Sequence, residues 1–334
     1  MTKTISIIVP TFNEQDNVRV CYERIKNVFT QQLKGYGYEI IFADNASKDD
    51  TVKILKEIAR LDKQVKIIVN ARNFGPFRST FNALLQACGD AVVPMLACDL
   101  QDPPETIIEF VKKWEEGFEV VYGLKKKREE SGLMQMCRKI FYRLVNAFSD
   151  FDIPENVGEF QLIDQKVLKA LRQFDDYYPY IRGMIASCGF NAIGVEYTWK
   201  ERKRGLSKNR LYHLIDQALN GIISFANVPL RLCLFFGFFI AAASILYAFI
   251  QFFINLFWFR QLTSPGMATL IVALFFFSGV QLFFLGMLGE YLSAVHFQVR
   301  KRPLVVERER VNFSEVDVKG RETSRAAGVE HEKI

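Results

Sequence analysis

Short apolar runs alternate with stretches of helical periodicity through the first 125 residues. Ile5-Ser6-Ile7-Ile8-Val9, Glu39-Ile40-Ile41-Phe42-Ala43, Val65-Lys66-Ile67-Ile68-Val69 and Ala91 to Leu96 each read as a buried strand. Between them, helices are predicted over about Glu14 to Leu33, Asp49 to Leu61 and Phe77 to Cys88. In the second helix Val52, Leu55, Ile58 and Ala59 share one face. Near-continuous apolar strands alternating with amphipathic helices build an α/β fold, with a mostly parallel sheet covered on both faces. Ligands of such sheets bind beyond the carboxyl ends of the strands.

The residues at those ends are polar. They are Pro10-Thr11-Phe12-Asn13-Glu14, then Asp44-Asn45-Ala46-Ser47-Lys48-Asp49, then Asn70-Ala71-Arg72-Asn73-Phe74-Gly75, then Ala97-Cys98-Asp99-Leu100-Gln101-Asp102-Pro103-Pro104-Glu105. No GxGxxG or GxxxxGK[ST] pattern occurs, so neither a dinucleotide fold nor a P-loop is signalled. The three histidines, His213, His296 and His331, all lie outside these loops, which argues against histidine relays and zinc chemistry. Asp102, followed by two prolines and Glu105, reads as the N-cap of a helix with a capping box. Asp49 reads as a cap for the helix that follows it.

Beyond residue 125 the pattern changes. Lys125, Lys126, Lys127, Arg128, Arg138, Lys139 and Arg143 form one basic stretch, and Lys200, Arg202, Lys203, Arg204, Lys208 and Arg210 a second. Each alone is a solvated face or a phosphate site; two from different parts of one domain favour a shared phosphate site. From 211 to 227, Leu211, Leu214, Ile215, Ala218, Leu219 and Ile222 recur at the spacing of an interfacial amphipathic helix. Leu232 to Phe257 and Gln261 to Gly289 contain no charged residue, and each exceeds the ~20 residues that cross a bilayer core. Thr263-Ser264-Pro265-Gly266 joins them as a hairpin, with basic flanks on the outside. The expected organisation is a cytoplasmic domain over 1–210, the amphipathic helix over 211–227, a transmembrane hairpin over 228–295 and a charged cytoplasmic tail over 296–334. The spans are expected at about 229–257 and 266–292.

Composition agrees. Hydrophobic residues make up 50% of the 334, with 31 Phe, and most of the excess lies in the hairpin. A net charge of +6 suits an anionic partner, either a membrane surface or a phosphate. The six cysteines are scattered without a CxxC pair, as in a reducing compartment. Cys98 is most simply a small buried residue.

Together these motifs resemble the inverting family 2 glycosyltransferases of the GT-A fold. Val9-Pro10-Thr11-Phe12-Asn13-Glu14, Asp44 to Asp49 and Asp99 to Glu105 carry the general likeness. Arg202-Lys203-Arg204-Gly205-Leu206-Ser207-Lys208 resembles the RxxGxSK loop of the polyprenyl-phosphate branch. Gly286-Met287-Leu288-Gly289-Glu290-Tyr291 resembles the second-span signature of its two-span bacterial members. Bactoprenol glucosyltransferases are the nearer likeness, and dolichol-phosphate mannose synthases the more distant.

The resemblance implies transfer of a hexose, glucose from UDP-glucose, to an undecaprenyl-type phosphate at the cytoplasmic face, for envelope polysaccharide. GDP-mannose or a modified UDP-pentose is the alternative donor, and a non-catalytic lipid-phosphate-binding scaffold the alternative class. Pro10, Thr11, Glu14, Asp44, Asn45, Arg72 and Asp99 would bind the donor. Asp99 and Gln101 would hold Mg2+ or Mn2+. Lys125, Arg138, Tyr142, Arg202, Ser207 and Lys208 would bind the acceptor phosphate. Asp99, Glu159 and Arg202 would carry catalysis. Membrane lipid, a homo-oligomer and a downstream flippase are the further partners implied, with no nucleic acid.

The sequence departs from the family pattern twice. The DxD motif becomes Ala97-Cys98-Asp99, and GDFRL becomes Gly158-Glu159-Phe160-Gln161-Leu162. A hard cation takes oxygen ligands from diphosphate and water as well as protein. Asp99 and Gln101, two apart in an extended segment, would point to one side and complete its shell. A phosphate acceptor, with a second pKa of ~6, needs little base catalysis. Glu159 is therefore expected to orient rather than to deprotonate.

Overall fold

The computed structural model describes residues 2–125, 157–199, 235–240, 246, 267–300 and 302–313. The four predicted strands form β1 (Thr4–Thr11), β2 (Gly37–Asp44), β3 (Val65–Asn70) and β4 (Ala91–Val93). The three predicted helices form α1 (Val18–Gln31), α2 (Thr51–Leu61) and α3 (Pro76–Leu84). β4 stops sooner than the apolar run suggests, because Pro94 has no N–H to continue the ladder. α1 starts later than predicted, since Glu14 first closes a turn with its carbonyl on the N–H groups of Asn17 and Val18, at 2.9 and 3.0 Å.

Further elements follow: α4 (Thr106–Glu115), β5 (Val120–Lys125), β6 (Val157–Asp164), α5 (Gln165–Leu171), α6 (Ile181–Ser187), β7 (Ala192–Tyr197), α7 (Met267–Val299) and β8 (Glu307–Val311). The strands make one sheet in the order β7-β5-β6-β4-β1-β2-β3-β8. β1 pairs in parallel with β2 and β4, β2 with β3, and β5 with β7. β6 runs antiparallel to β4 and β5, and β8 antiparallel to β3.

Both faces of the sheet are buried. Ile5, Ile7 and Val9 of β1 join Ile25, Leu55, Ile58, Phe110 and Trp114 in one core. Ile8, Ile41, Phe81, Leu84 and Leu168 are likewise fully buried. This is why the strands lack hydrophobic alternation. At the amino ends of the strands a buried ion pair, Lys66 Nζ to Glu39 Oε1 at 2.7 Å, stands beside Ser6. Glu39 Oε2 accepts from Ser6 Oγ at 2.5 Å and from Cys88 N–H at 3.1 Å. The buried charge is thus paired and hydrogen-bonded, the condition under which it is tolerated.

The chain divides into two compact units, one of 1–143, 151–214 and 302–334, the other of 144–150 and 215–301. Every strand among the described residues belongs to the first, including β8 from the expected charged tail. In the second, α7 extends for 33 residues, about 50 Å. Its segment Phe276–Val299 is long and apolar enough to cross a membrane, and is the one such helix among the described residues. The predicted interfacial helix lies outside the described residues. Of the first predicted span, only 235–240 and 246 are described, and they are helical.

Candidate active site

Thr11 and Asp44 end the adjacent strands β1 and β2, and face each other in register. Asp44 is fully buried. Its Oδ1 accepts the Ser47 N–H at 2.9 Å, and its Oδ2 accepts the hydroxyls of Ser47 and Thr11 at 2.5 and 3.4 Å. Burial pushes the Asp44 carboxyl above the ordinary aspartate range, while the bonds from Ser47 and Thr11 pull it back part of the way. The neighbouring loop is laced to this one. Asn13 N–H donates to Ser47 Oγ, Lys48 N–H to Asn13 Oδ1, both at 2.8 Å, and Glu14 N–H to Thr51 Oγ1 at 2.9 Å. Asn13 and Ala46 hold left-handed backbone, with φ of 54° and 64°. Such conformations cost energy in residues other than glycine and gather at functional sites. Asp49 Oδ1 accepts the Thr51 N–H at 3.1 Å, close to its predicted capping role.

Asn45 spends its polar atoms inside the protein. Its Nδ2 donates to Asn73 Oδ1 at 2.9 Å, and its Oδ1 accepts from Phe74 N–H at 2.9 Å and Asn70 Nδ2 at 3.3 Å. It ties the loop after β2 to the loop after β3. Arg72 is exposed, with its guanidinium 4.1 Å from the Phe74 ring centroid. Pro10 and Glu14 are partly buried at the same sheet edge.

The loop after β4 corrects two expectations. The segment from Ala97 to Gln101 is not extended. Leu100 has φ 60°, its N–H bonds back to Ala97 O at 3.2 Å, and Asp99 Oδ1 accepts the Gln101 N–H at 3.2 Å. Strand alternation therefore does not set the relation of Asp99 to Gln101; a turn does. Nor does Asp102 cap α4. The N–H groups of Thr106 and Ile107 bond to the carbonyls of Pro103 and Pro104, each at 3.0 Å, so no side-chain cap is needed. Glu105 instead pairs with Arg24 at 2.6 Å.

Asp102 reaches across the sheet. Its Oδ1 accepts the Tyr197 hydroxyl at 2.6 Å and lies 3.7 Å from Lys125 Nζ. Lys125 ends β5 and Tyr197 ends β7, and the two are paired in register. Lys125 also lies 5.3 Å from the Trp199 ring centroid. Gly123 is obligatory here, since a Cβ would sit 2.6 Å from the Tyr197 ring. Glu159, on β6, stands beside this group. Its Oε1 is 4.0 Å from Arg182 Nε, and its Oε2 is buried without a hydrogen-bond partner among the described residues. Arg182, from α6, donates to the Val157 carbonyl and the Tyr180 hydroxyl. Burial pushes Glu159 up, against the opposing pull of Arg182 and then Lys125. Gln161, where the family pattern has arginine, is buried and donates to Gly158 O at 3.2 Å.

Tyr197 and Arg182 were not singled out from sequence. The alternation of Ile193, Val195 and Tyr197 could have marked β7, but nothing local announces the partner of Asp102, 95 residues away. Arg138, Tyr142, Arg202, Ser207 and Lys208 lie outside the described residues.

Among the described residues, no three His, Cys, Asp or Glu side chains gather into a metal-binding group. Asp99 and Gln101 supply one carboxylate and one amide oxygen. These are hard donors that suit Mg2+ or Mn2+ only as part of a shell completed by diphosphate and water.

Residues 6–172 match the model of glycosyl transferase family 2, and residues 228–295 match that of the GtrB C-terminal hairpin. The uncharacterized glycosyltransferase YkcC of Bacillus subtilis is 36% identical over 90% of this chain and 92% of its own. The SfII prophage-derived bactoprenol glucosyl transferase of Shigella flexneri is 35% identical over 90% of this chain and 96% of its own. Among solved structures, the mannosyltransferase PcManGT of Pyrobaculum calidifontis, in complex with GDP-Man and Mn2+, covers 90% of this chain and 87% of its own at 18% identity and a TM-score of 0.44.

Proposed function

The chain belongs to glycosyl transferase family 2, and from that membership we propose that it moves one hexose from UDP-glucose onto a polyprenyl phosphate at the cytoplasmic membrane face. The observation that carries this reading is the presence on one chain of the family 2 match and the hairpin match, in a relationship to a bactoprenol glucosyl transferase that spans nine-tenths of the sequence.

In this reading Thr11, Glu14 and Asp44 form the nucleoside end of the donor pocket, with Pro10 in its wall. Asn45 and Arg72 act one step back, by shaping the loop after β3. Asp99 and Gln101 would hold the divalent cation, which supplies charge neutralisation to the departing diphosphate. Asp102 fixes Lys125 and Tyr197 on the acceptor side. Lys125, with Arg138, Tyr142, Arg202, Ser207 and Lys208, brings the acceptor's anionic phosphate up to an already anionic donor. The acceptor oxygen is nucleophilic without deprotonation. Glu159, held beside Arg182 and Lys125, orients those cations and keeps them from closing on the donor diphosphate. Displacement at the anomeric carbon then inverts it.

Transfer assays with radiolabelled UDP-glucose, GDP-mannose and a UDP-pentose, each with undecaprenyl phosphate, test the reading. Label should enter the lipid from UDP-glucose, and a chelator should abolish it. Label from GDP-mannose alone would overturn the donor assignment. Polyprenyl-phosphate binding with no transfer from any donor would favour the scaffold.

A further inference from the structure

Arg78 has no part in the chemistry above, and Arg72 enters it only by shaping the loop after β3. Neither makes an ion pair with a carboxylate among the described residues, unlike Arg19, Arg24, Arg182 and Arg310. Both guanidiniums approach one ring. Arg72 lies 4.1 Å and Arg78 5.4 Å from the Phe74 centroid. Arg78 also lies 4.1 Å from the Tyr177 centroid, and Tyr177 meets Tyr178 edge-on at 4.9 Å. Tyr178 is 40% exposed. Two cations gathered on one ring, about a Debye length apart or less, repel unless an anion joins them.

The position of this patch suggests which anion. Arg78 Nη2 donates to the Pro303 carbonyl at 3.2 Å. Pro303 follows Arg300-Lys301-Arg302, the basic stretch that leaves the apolar helix α7. The patch is therefore tied to chain that lies, by sequence, four residues past the end of that helix. The donor's diphosphate is the less suitable candidate. Its proposed cation ligands follow β4, and β3 lies three strands away in the sheet, about 14 Å at normal strand spacing. Tyrosine and arginine side by side on one surface are also the chemistry of the membrane headgroup layer.

We propose that Arg72, Phe74, Arg78, Tyr177 and Tyr178 form a docking surface for the phosphate of an anionic phospholipid headgroup. The patch holds the loop after β3, and with it Asn45 and the donor pocket, against the bilayer surface. The proposal rests on the membrane part of the functional reading and not on the donor or the transfer.

Hydrogen exchange on the full chain in lipid nanodiscs tests it. Nanodiscs of phosphatidylcholine alone are compared with nanodiscs containing phosphatidylglycerol. Phosphatidylglycerol should slow exchange at Phe74 to Arg78 and Tyr177 to Tyr180. The effect should shrink about fivefold in Arg78→Gln, the loss expected for one arginine near an anionic surface, and be partly kept in Arg78→Lys. Three results would overturn the proposal: no effect of phosphatidylglycerol, an equal effect in Arg78→Gln, or slowing by UDP in place of the lipid. Arg78→Lys keeps the comparison informative if Arg78→Gln does not fold. A chain that fails to enter nanodiscs would contradict the membrane reading itself, which separates that failure from failure of the patch.

Discussion

Asp44 is fully buried and held by hydroxyl and amide donors. Its folded pKa stands above its unfolded value, so its favourable contribution is complete below about pH 4 and is lost as pH rises through the folded pKa. Once ionised, the group costs stability, a cost that fits the nucleotide recognition proposed for it. Asp44→Asn should therefore melt higher than wild type at pH 8, with the gain vanishing towards pH 4, and should bind UDP at least about tenfold more weakly. Calorimetry across pH, with UDP titration, checks both halves. Asp102 offers a sharper contrast between roles. A lost N-cap costs ~1 kcal/mol of stability. The structure puts Asp102 on Tyr197 and Lys125 instead, so Asp102→Asn should leave the melting temperature within about a degree or two and lower transfer by about tenfold or more. The sequence showed the acid and the two prolines but not that proline carbonyls would satisfy the helix start. In the same way, period-2 reasoning paired Asp99 with Gln101, and the left-handed Leu100 defeats it. The placing of Thr11, Asp44 and Asn45 at the sheet edge was legible, because each stands at the end of an apolar run.

At the scale of elements, β1 to β4 were readable from continuous apolar runs, and β8 was not. Its sequence, Glu307-Arg308-Glu309-Arg310-Val311, has one apolar residue and reads as solvated tail. It is held by its pairing with β3, by partners from α2 and α3, and by a bond within the strand. Lys56 meets Glu309 at 2.7 Å, Asn82 meets Glu307 at 2.7 Å, and Arg310 bonds Glu307. The charges also guard the outer edge. In an antiparallel pairing with a second β8, residues of one face stand opposite each other, so Arg308 and Arg310 would face like charges. A homo-oligomer built through this edge is therefore disfavoured. Asn312 locks the end of the strand, donating to Ala59 O and Val65 O at 2.8 Å each, with φ 62°. Asn312→Ala loses both bonds and adds left-handed strain, for about 2 kcal/mol, whereas Asn312→Gly loses only the bonds. Denaturant unfolding of the two variants should rank glycine as the milder change.

At the scale of the whole molecule, a family 2 domain and a hairpin of the GtrB type lie on one chain of net charge +6. In the proposed function this basic balance suits the anions to be gathered: a nucleotide sugar, a lipid phosphate and a membrane surface. The charge-free runs are legible because bilayer thickness fixes a length that sequence displays directly, and the hairpin match falls on them, over residues 228–295. The proposed acceptor side stands in the sequence only as basic clusters, because Asp102, Lys125 and Tyr197 meet from elements far apart in sequence. The central claim is lipid-linked product formation. The most direct measurement is mass spectrometry of the lipid extract after the purified chain is incubated with UDP-glucose, Mg2+ and undecaprenyl phosphate. The account predicts a new species heavier than undecaprenyl phosphate by one hexose residue, absent with Asp99→Ala. Undecaprenyl phosphate left unmodified by folded, nucleotide-binding protein with each donor of the panel would contradict it.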